Sequence, residues 1–414
     1  MKHSSNKSLD IAIIGAGPVG CHAATLLAKL GHNVTVYEEH KKVGEPIQCT
    51  GLLTKDFDKF FPQIAKSKDD FLVNTFSEVI VKSKNQTLIT NQKEYLVCRT
   101  KFDQSFKKRA QAAGATIKTQ HSFIRKEGRG LIIKNKTTQN NSDHSNHQNH
   151  SNHKNHHEFK IIPDLVIAAD GPLSKTAKAY GFYEKTRKNY YGIQAVVEKQ
   201  HGPNNNHNTA SLNHFNKDTF ITYFRNDWCP DFFIWDVPEN KQQSRVGLAS
   251  KKPPKKFFQK FIQDNNFEIK QMQAGVIPIY SHKQKMQKDN CYLLGDAAGH
   301  VKATTLGGLI PGLRAAKILS QKIQSNTYKV GGYHKALNKL RRELLLHKII
   351  RNLMDHFTNN DWDKLLSLVS QKKIQKVFEK YSRDNPIPLT FFSLIKEPRF
   401  LYFTRHLPKL ILKN

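Results

Sequence analysis

The N-terminal part of the chain contains a strand–helix–strand pattern whose glycines limit the folds open to the protein. An apolar run from Asp10 to Ile14 predicts a strand, and a helical pattern follows from Cys21 to Leu30. The loop between them carries Gly15, Gly17, Pro18 and Gly20. Glycines at these positions allow a tight turn, close approach of the backbone to a pyrophosphate, and close packing of helix on strand. The pattern predicts a Rossmann-like unit that binds a dinucleotide at the helix N-terminus.

Two acidic residues end the second strand of this unit. The run from Val34 to Tyr37 predicts that strand, and Glu38 and Glu39 follow it. An acid about 20 residues beyond the glycine loop can accept hydrogen bonds from ribose hydroxyls. A glycine-rich turn in a fold without a ligand is the alternative. Because the strand, the helix and the acid stand in the expected register, the sequence favours a dinucleotide site.

A second glycine-rich segment lies late in the chain. Cys291 to Leu294 predicts a short buried strand, Gly295-Asp296 predicts a turn, and Gly307 and Gly308 precede a helix that begins near Leu309. An aspartate can accept hydrogen bonds from hydroxyls, and the amides at a helix N-terminus attract anionic oxygens. This segment therefore predicts the other half of a site for a polyol phosphate.

Together the two segments resemble the superfamily of FAD-dependent hydroxylases and reductases. Leu165 to Gly171, which contains Asp170, is similar to its Asp-Gly motif, and Tyr95 to Phe106 is similar to the segment whose arginine contacts FAD. The resemblance implies an FAD cofactor, with Glu38 at the adenosine ribose and Asp296 at the ribityl chain. The cofactor-binding residues that it implies are Gly15, Gly17, Pro18, Gly20, Glu38, Glu39, Cys49, Gly51, Arg99, Asp170, Asp296, Gly307, Gly308 and Leu309.

Within that superfamily the chain resembles the geranylgeranyl reductase family. The segment 43–53, V-G-E-P-I-Q-C-T-G-L-L, is similar to a family segment that places its cysteine, here Cys49, near the flavin. The resemblance implies a catalytic position for Cys49. A small buried cysteine with a purely structural role is the alternative. The segments 275–279 and 300–305 also resemble this family.

An aromatic segment resembles the family motif that lines the isoprenoid cavity. Residues 231–238 read D-F-F-I-W-D-V-P, so Trp235 and Pro238 are kept while Phe233 and Val237 replace the family's other aromatic residues. The resemblance implies that Phe233, Trp235 and Pro238 bind the substrate. An aromatic strand that only packs a sheet is the alternative.

The function implied by the resemblance is an FAD-dependent reductase that saturates isolated double bonds of geranylgeranyl or other isoprenoid chains in membrane lipids or their precursors. A monooxygenase of the same fold, acting on an aromatic ring or a polyketide, is the alternative. A nucleic-acid-binding protein with structural FAD is a third hypothesis. No second dinucleotide pattern appears, so NADPH, NADH and ferredoxin all stay open as the electron donor. The proton donor also stays open, with Cys49, Thr50 and His300 as candidates to hold a water.

Composition bears on partners and location. The net charge of +32 is compatible with a compositional bias, with nucleic acid or with anionic lipid, and we expect peripheral contact with an anionic membrane and no nucleic acid. No run of about 18 apolar residues predicts a membrane span. The N-terminus lacks the apolar region of a secretory signal. Five cysteines without paired spacing indicate a reducing, cytoplasmic setting and no metal site.

The predicted fold class is α/β, or α+β for the whole chain. A Rossmann-like FAD-binding domain comprises 1–70, 95–185 and 281–330, an inserted antiparallel-sheet substrate domain comprises 71–94 and 186–280, and 331–414 is helical. The His/Asn-rich insert 139–157 predicts a disordered loop in a hairpin, or weak metal binding as the alternative. The segment 398–413 fits either an interfacial segment or a terminal helix packed on the domain.

Overall fold

Three β-sheets and a C-terminal group of helices form the structure, a computed structural model that describes residues 7–61, 70–137, 157–183, 187–199, 215–329 and 331–407. The histidine repeat of the predicted insert and residues beyond 407 lie outside this description. The strands are β1 (Asp10–Ile14), β2 (Asn33–Tyr37), β3 (Leu52–Thr54), β4 (Leu72–Lys82), β5 (Thr87–Val97), β6 (Thr116–Lys118), β7 (His121–Glu127), β8 (Gly130–Asn135), β9 (His157–Ile161), β10 (Leu165–Ala168), β11 (Asn189–Lys199), β12 (Thr219–Tyr223), β13 (Ile234–Pro238), β14 (Gln243–Ser250), β15 (Phe267–Pro278), β16 (Gln287–Lys288) and β17 (Cys291–Leu293).

Six of the ten α-helices in the described residues lie beyond residue 308. The α-helices are α1 (Pro18–Lys29), α2 (Arg99–Ala112), α3 (Lys175–Ala179), α4 (Lys255–Asp264), α5 (Leu309–Gln324), α6 (Gly332–Ala336), α7 (Asn338–Met354), α8 (Asn359–Val369), α9 (Lys372–Lys380) and α10 (Pro386–Lys396). In the described residues, 3-10 helices cover Lys55–Lys59, Gly295–Ala298 and Pro398–His406. Within the described ranges, no helix combines the length and apolar content needed to cross a membrane.

The first sheet is the Rossmann-like sheet that the glycine pattern predicts. Its strand order is β16-β17-β10-β1-β2-β6, and all its pairs are parallel except β16 with β17. Every residue of β10 is buried, as expected for a parallel strand covered on both faces. Helix α1 packs against α2 and α5. The carboxyl ends of β1, β10 and β17 consequently meet at one edge, which is where such sheets bind ligands.

The second sheet has eight strands in the order β15-β11-β14-β13-β12-β4-β5-β3 and is mostly antiparallel. It contains the two segments predicted for the substrate domain, and strand β3 from the N-terminal segment also joins it, through pairing with β5. Strand β5 crosses the predicted domain boundary between residues 94 and 95. A third, three-stranded sheet, β7-β8-β9, flanks the first. Its β8–β9 pair encloses the predicted His/Asn-rich insert.

Helices α6 to α10 form the C-terminal region. Helix α7 buries Leu340 and Leu344 at helical spacing, and α8 begins with a capping box in which the Thr358 side chain and the Asp361 side chain each accept a backbone hydrogen bond. The predicted fold class, with its Rossmann-like domain, antiparallel sheet and C-terminal helices, is confirmed.

Candidate active site

A single cavity of ≈ 750 Å³ brings together residues of the Rossmann-like sheet and of the eight-stranded sheet. Its volume is in the range typical of ligand pockets. Most residues that the sequence predicted for the site line it: Gly15, Gly17, Pro18, Gly20, Glu38, Glu39, Cys49, Arg99, Asp170, Phe233, Trp235, Asp296, Gly307, Gly308 and Leu309. Gly51 and Pro238 are not among the lining residues.

The β1–α1 turn needs its glycines for steric reasons. Gly15 has a φ of +102°, and a Cβ on it would lie 2.4 Å from the carbonyl oxygen of Ala169. A Cβ on Gly20 would lie 2.2 Å from the carbonyl oxygen of Gly15. Pro18 occupies the first turn of α1, where a backbone N–H would have no acceptor within the helix, so the lack of an N–H in proline costs no hydrogen bond. The N-terminus of α1 therefore opens onto the cavity with its amides available to an anion.

Glu38 is fixed at the cavity wall by its own neighbours. Its Oε2 accepts a hydrogen bond from the Ala16 N–H at 2.8 Å, and its Oε1 accepts one from the His40 N–H at 3.0 Å. His40 Nδ1 also lies 2.7 Å from Oε1. A carboxylate offers about four lone-pair positions, so Glu38 keeps one for a ligand hydroxyl. Glu39 is exposed and pairs loosely with Lys175 at 3.6 Å.

Asp296 presents a carboxylate to the cavity without a protein donor. Among the described residues, no hydrogen bond reaches its side chain, and burial raises its pKa. Gly308 lies close to the Asp296 carboxylate, since a Cβ on Gly308 would lie 2.9 Å from Asp296 Oδ1. The carboxylate is partly exposed, and a ligand that fills the cavity would remove its water, so that ligand has to supply the hydrogen-bond donors. Asp296 is therefore suited to bind a hydroxyl-bearing chain.

The Asp170 carboxylate, in contrast, finds its hydrogen-bond donors within its own loop. It accepts hydrogen bonds from the Ser174 hydroxyl and, at 3.0 Å, from the Thr176 N–H. These bonds fix the turn that leads into α3. The side chain thus has a structural task, although Asp170 and Gly171 both line the cavity.

Two residues outside the sequence-predicted set orient the Asp296 loop. Tyr183 donates its hydroxyl to the Ala297 carbonyl at 2.8 Å, and Arg187 Nη1 donates to the Tyr183 hydroxyl at 2.9 Å. Burial lowers the pKa of Arg187, while the field of Arg187 opposes the rise in the pKa of Asp296. No local motif marks either residue, because their role depends on contacts made more than a hundred positions along the chain.

Arg99 begins α2 and forms a two-point ion pair with Asp103 one turn later. Arg99 Nε lies 3.0 Å from Asp103 Oδ1, and Nη2 lies 2.9 Å from Oδ2. Burial disfavours the charge on Arg99, but Asp103 and Cys49 together raise its pKa. The guanidinium therefore stays cationic at the cavity. Cys49 Sγ accepts the Gly51 N–H at 3.4 Å and interacts with the Arg99 guanidinium.

The eight-stranded sheet forms an aromatic wall. Trp235 Nε1 donates to Gln194 Oε1 at 3.0 Å, the Thr50 hydroxyl donates to the same oxygen at 2.6 Å, and Gln194 Nε2 donates to Gln273 at 2.8 Å. Phe233 meets the Trp235 ring edge to face at 6.3 Å. This network holds the Trp235 ring in one orientation with its apolar surface toward the cavity.

Pro238 lies on the opposite face of that sheet. Side chains alternate along a strand, so Phe233, Trp235 and Val237 line the cavity, while Asp236 and Pro238 line a separate hollow of ≈ 380 Å³. Gly51 lies behind the cavity wall: its φ is +82°, and a Cβ would meet the Val97 carbonyl at 2.5 Å. Pro238 lies away from the cavity because side chains alternate along the strand. Gly51 lies behind the wall because its segment packs on β5.

A buried charge cluster closes the cavity on the side of the C-terminal region. Lys302 pairs with Asp384, whose carboxylate also accepts the Thr54 hydroxyl at 2.6 Å, and Arg383 pairs with Glu94 at 2.7 Å. Burial opposes ionisation of Asp384, but Lys302 lowers its pKa to about 2. Burial raises the pKa of Glu94 to about 7 despite Arg383. Lys302, Thr54 and Arg383 all line the cavity.

The three side chains predicted as candidates to hold a water differ in position. Cys49 and Thr50 line the cavity, whereas His300 does not. His300 is fully buried, and burial lowers its pKa to about 3, with a further contribution from Arg187. Within the described chain neither ring nitrogen has a hydrogen-bond partner. His300 is therefore a neutral group in the loop behind Gly308.

Comparison with known proteins agrees with this geometry. Residues 13–48 match the model of the NAD(P)-binding Rossmann-like domain. Digeranylgeranylglycerophospholipid reductase 1 of Methanococcoides burtonii is 24% identical over 391 residues, which cover 89% of each chain. Digeranylgeranylglycerophospholipid reductase of Methanocaldococcus jannaschii is 23% identical, over 94% of this chain and 98% of the relative. The predicted resemblance to geranylgeranyl reductases is confirmed.

Solved structures share the fold of this chain. A geranylgeranyl bacteriochlorophyll reductase-like protein from Thermoplasma acidophilum has a TM-score of 0.76 at 19% identity and covers 97% of this chain and 99% of its own. The flavin-dependent brominase Bmp2 has a TM-score of 0.65 at 13% identity, with coverage of 99% and 100%.

FAD is the cofactor that the sequence leads us to expect, and the brominase among these neighbours is named as flavin-dependent. The residues present fit that group. The glycine turn leaves room for a pyrophosphate at α1, and the Asp296 carboxylate has no protein donor in the described chain.

Proposed function

We propose that the protein is an FAD-dependent oxidoreductase that saturates isolated carbon–carbon double bonds of geranylgeranyl or other isoprenoid chains, in membrane lipids or their precursors. The observation that carries the proposal is the continuity of one cavity. Its Rossmann side offers the glycine turn, Glu38 and Asp296, and its other side offers the wall of Phe233 and Trp235. The relatives named digeranylgeranylglycerophospholipid reductases support the same substrate class.

Bound FAD in its reduced form would supply the hydride that the alkene accepts. An isolated alkene has no carbonyl to stabilise developing charge, so the chain must contribute orientation. Phe233 and Trp235 would hold the prenyl chain, and the Gln194 bond would keep the indole ring from turning. Cys49 and Thr50 line the cavity and would hold the water that gives the proton. Asp296 and Arg99 would bind the cofactor.

The substrate also indicates where the protein acts. Exposing a prenyl chain of roughly 20 carbons to water, at ~0.8 kcal/mol per CH₂, would cost on the order of 10 kcal/mol or more. The protein would therefore collect its substrate at a membrane, in peripheral contact with anionic lipid, as the net charge of +32 favours. We place it on the cytoplasmic side because all five cysteines are free. The electron donor would be NAD(P)H or ferredoxin.

Product mass tests the proposal. The FAD-loaded protein, reduced with dithionite, would be incubated with a geranylgeranyl lipid with and without oxygen, and the lipid analysed by mass spectrometry. We expect a gain of two hydrogens for each double bond reduced, and no change in a fully saturated analogue of the lipid. A gain of one oxygen in the aerobic sample would instead identify a monooxygenase and overturn the proposal.

A further inference from the structure

Helix α10 is rich in apolar residues, and yet four of its eleven residues are exposed. Its eleven residues read P-I-P-L-T-F-F-S-L-I-K, and Lys396 is the one charged residue. Among them only Pro386 and Ser393 are buried. A helix that is hydrophobic on every side is normally enclosed by a protein core or a membrane. The exposure of α10 therefore needs an explanation.

The exposed apolar side chains of α10 form one stripe. Ile387, Phe391 and Ile395 follow each other at four-residue spacing and are 42%, 57% and 56% exposed. Residues four apart lie on the same face of a helix. The helix packs on α7, α9 and the 3-10 helix Pro398–His406. In the part of the chain that the structure describes, nothing covers the stripe. A continuous apolar stripe of this kind marks an interaction surface, unlike single exposed apolar residues.

Basic residues are exposed on the helix that neighbours α10. Helix α9, which packs on α10, exposes Lys372, Lys373, Lys376 and Lys380. Lys396 ends α10 itself. Two acids lie nearby: Glu397 is buried and pairs with Lys373 and Arg399, and Glu379 is exposed on α9. The surface around the stripe thus has an excess of positive charge, which complements an anionic layer better than an acidic or neutral one.

The segment just before α10 also contributes to the cavity wall. Arg383 and Asp384 come just before α10, and Arg383 lines the cavity while Asp384 pairs with the cavity residue Lys302. The stripe and the cavity wall are therefore joined by a short segment whose charges are locked in place. A lipid chain that leaves a bilayer beside α10 would therefore start near a segment that lines the cavity.

We propose that α10 docks the protein on an anionic bilayer, with Ile387, Phe391 and Ile395 inserted at the boundary between headgroups and acyl chains and the lysines of α9 above anionic headgroups. Amphipathic surfaces of this type bind by apolar burial together with attraction to anionic lipid. The inference rests on the proposed function, because a lipid substrate is what makes docking beside the cavity useful.

Vesicle binding tests the inference. The full-length FAD-loaded protein would be sedimented with vesicles of phosphatidylcholine alone and with vesicles that also contain phosphatidylglycerol. The triple variant Ile387→Ser, Phe391→Ser and Ile395→Ser would be compared with a control triple variant, Ile89→Ser, Ile162→Ser and Ile269→Ser, which changes comparably exposed isoleucines on other elements. We expect the α10 variant to bind anionic vesicles ~10-fold more weakly or worse, and the control variant to bind like the native protein.

Activity separates this inference from the proposed function. The α10 variant should reduce a detergent-dispersed lipid at the native rate and lose activity on the same lipid in vesicles. Equal vesicle binding by the native protein and the α10 variant would overturn the inference, as would equal binding of the native protein to neutral and anionic vesicles. A fall in oligomeric mass in the α10 variant, measured by light scattering, would show that α10 joins copies of the chain and would also overturn it. Loss of native activity in detergent would contradict the proposed function and leave the docking result standing.

Discussion

Asp296 and Asp170 show how one residue type can have opposite roles in one cavity. Asp170 is bonded by its own turn, while Asp296 has no donor in the described chain and a pKa raised by burial. A charged hydrogen bond contributes about 1.5–3 kcal/mol. We therefore expect Asp296→Asn to weaken FAD binding by about 10- to 100-fold, measured as the dissociation constant from flavin fluorescence. Asp227→Asn, which changes a carboxylate outside the cavity, is the control, and equal affinities for FAD would contradict the assigned role.

Gly247 sets the position of the Trp235 ring. A Cβ on Gly247 would lie 2.6 Å from Trp235 Cζ2 and 2.7 Å from the Ile193 carbonyl oxygen, which cannot easily move. Gly247→Ala should displace the indole from Gln194 and cost at least about 1 kcal/mol, which corresponds to a rise in KM for the lipid of roughly 5-fold or more, with FAD content unchanged. Gly192→Ala is the matched control, because its Cβ would meet a movable methyl of Ile277 at 3.4 Å. An unchanged KM in Gly247→Ala would show that the ring does not contact substrate.

At the scale of elements, the ion pair of Lys302 and Asp384 ties the loop after β17 to the chain before α10. Both side chains are nearly fully buried. Removal of one partner from a buried pair leaves an uncompensated charge and costs about 3–5 kcal/mol. Lys302→Met should lower the free energy of unfolding by that amount in chemical denaturation. The double variant Lys302→Met, Asp384→Leu should recover most of the loss, and a single variant as stable as the native protein would contradict the role of the pair.

Elements with a local signal could be predicted from the sequence, and contacts between distant elements could not. The β1–α1–β2 unit follows from glycines and apolar residues that lie within one short segment, and so does the Asp296 loop. The face on which Pro238 lies depends on where β13 enters the sheet. The pairing of β3 with β5, and of Arg383 with Glu94, joins residues far apart in the chain. Helix α10 has no charged residue before its last position. Its hydrophobic pattern is the same as that of a helix buried in a core, so its exposure could not be predicted.

At the scale of the whole molecule, buried histidines make stability depend on pH. Burial lowers the pKa of His347 to about 3, with Lys302 contributing, and its Nδ1 lies 2.7 Å from the Thr304 hydroxyl. The unfolded value is 6.5, so the unfolded chain binds the proton first as pH falls. The contribution of neutral His347 to the free energy of unfolding is therefore fully present above pH 6.5 and falls below it. At pH 5 the loss is on the order of 2 kcal/mol.

His347→Gln should remove that part of the pH dependence. The amide can still accept the Thr304 hydroxyl but does not titrate. Between pH 7.5 and pH 5, the free energy of unfolding of the variant should fall by roughly 2 kcal/mol less than that of the native protein, measured by denaturant titration. If the free energy of unfolding fell equally in the two proteins, His347 would not be held neutral by the fold.

The claim that one cavity serves both FAD and an isoprenoid chain is tested most directly by anaerobic reoxidation of the bound flavin. The protein would be loaded with FAD, reduced with one equivalent of dithionite, and mixed with a geranylgeranyl lipid or its saturated analogue while flavin absorbance is followed. We expect the oxidised spectrum to return with the unsaturated lipid, one double bond being reduced for each flavin, and the flavin to stay bleached with the saturated lipid. A flavin that stays reduced with both lipids would contradict the claim.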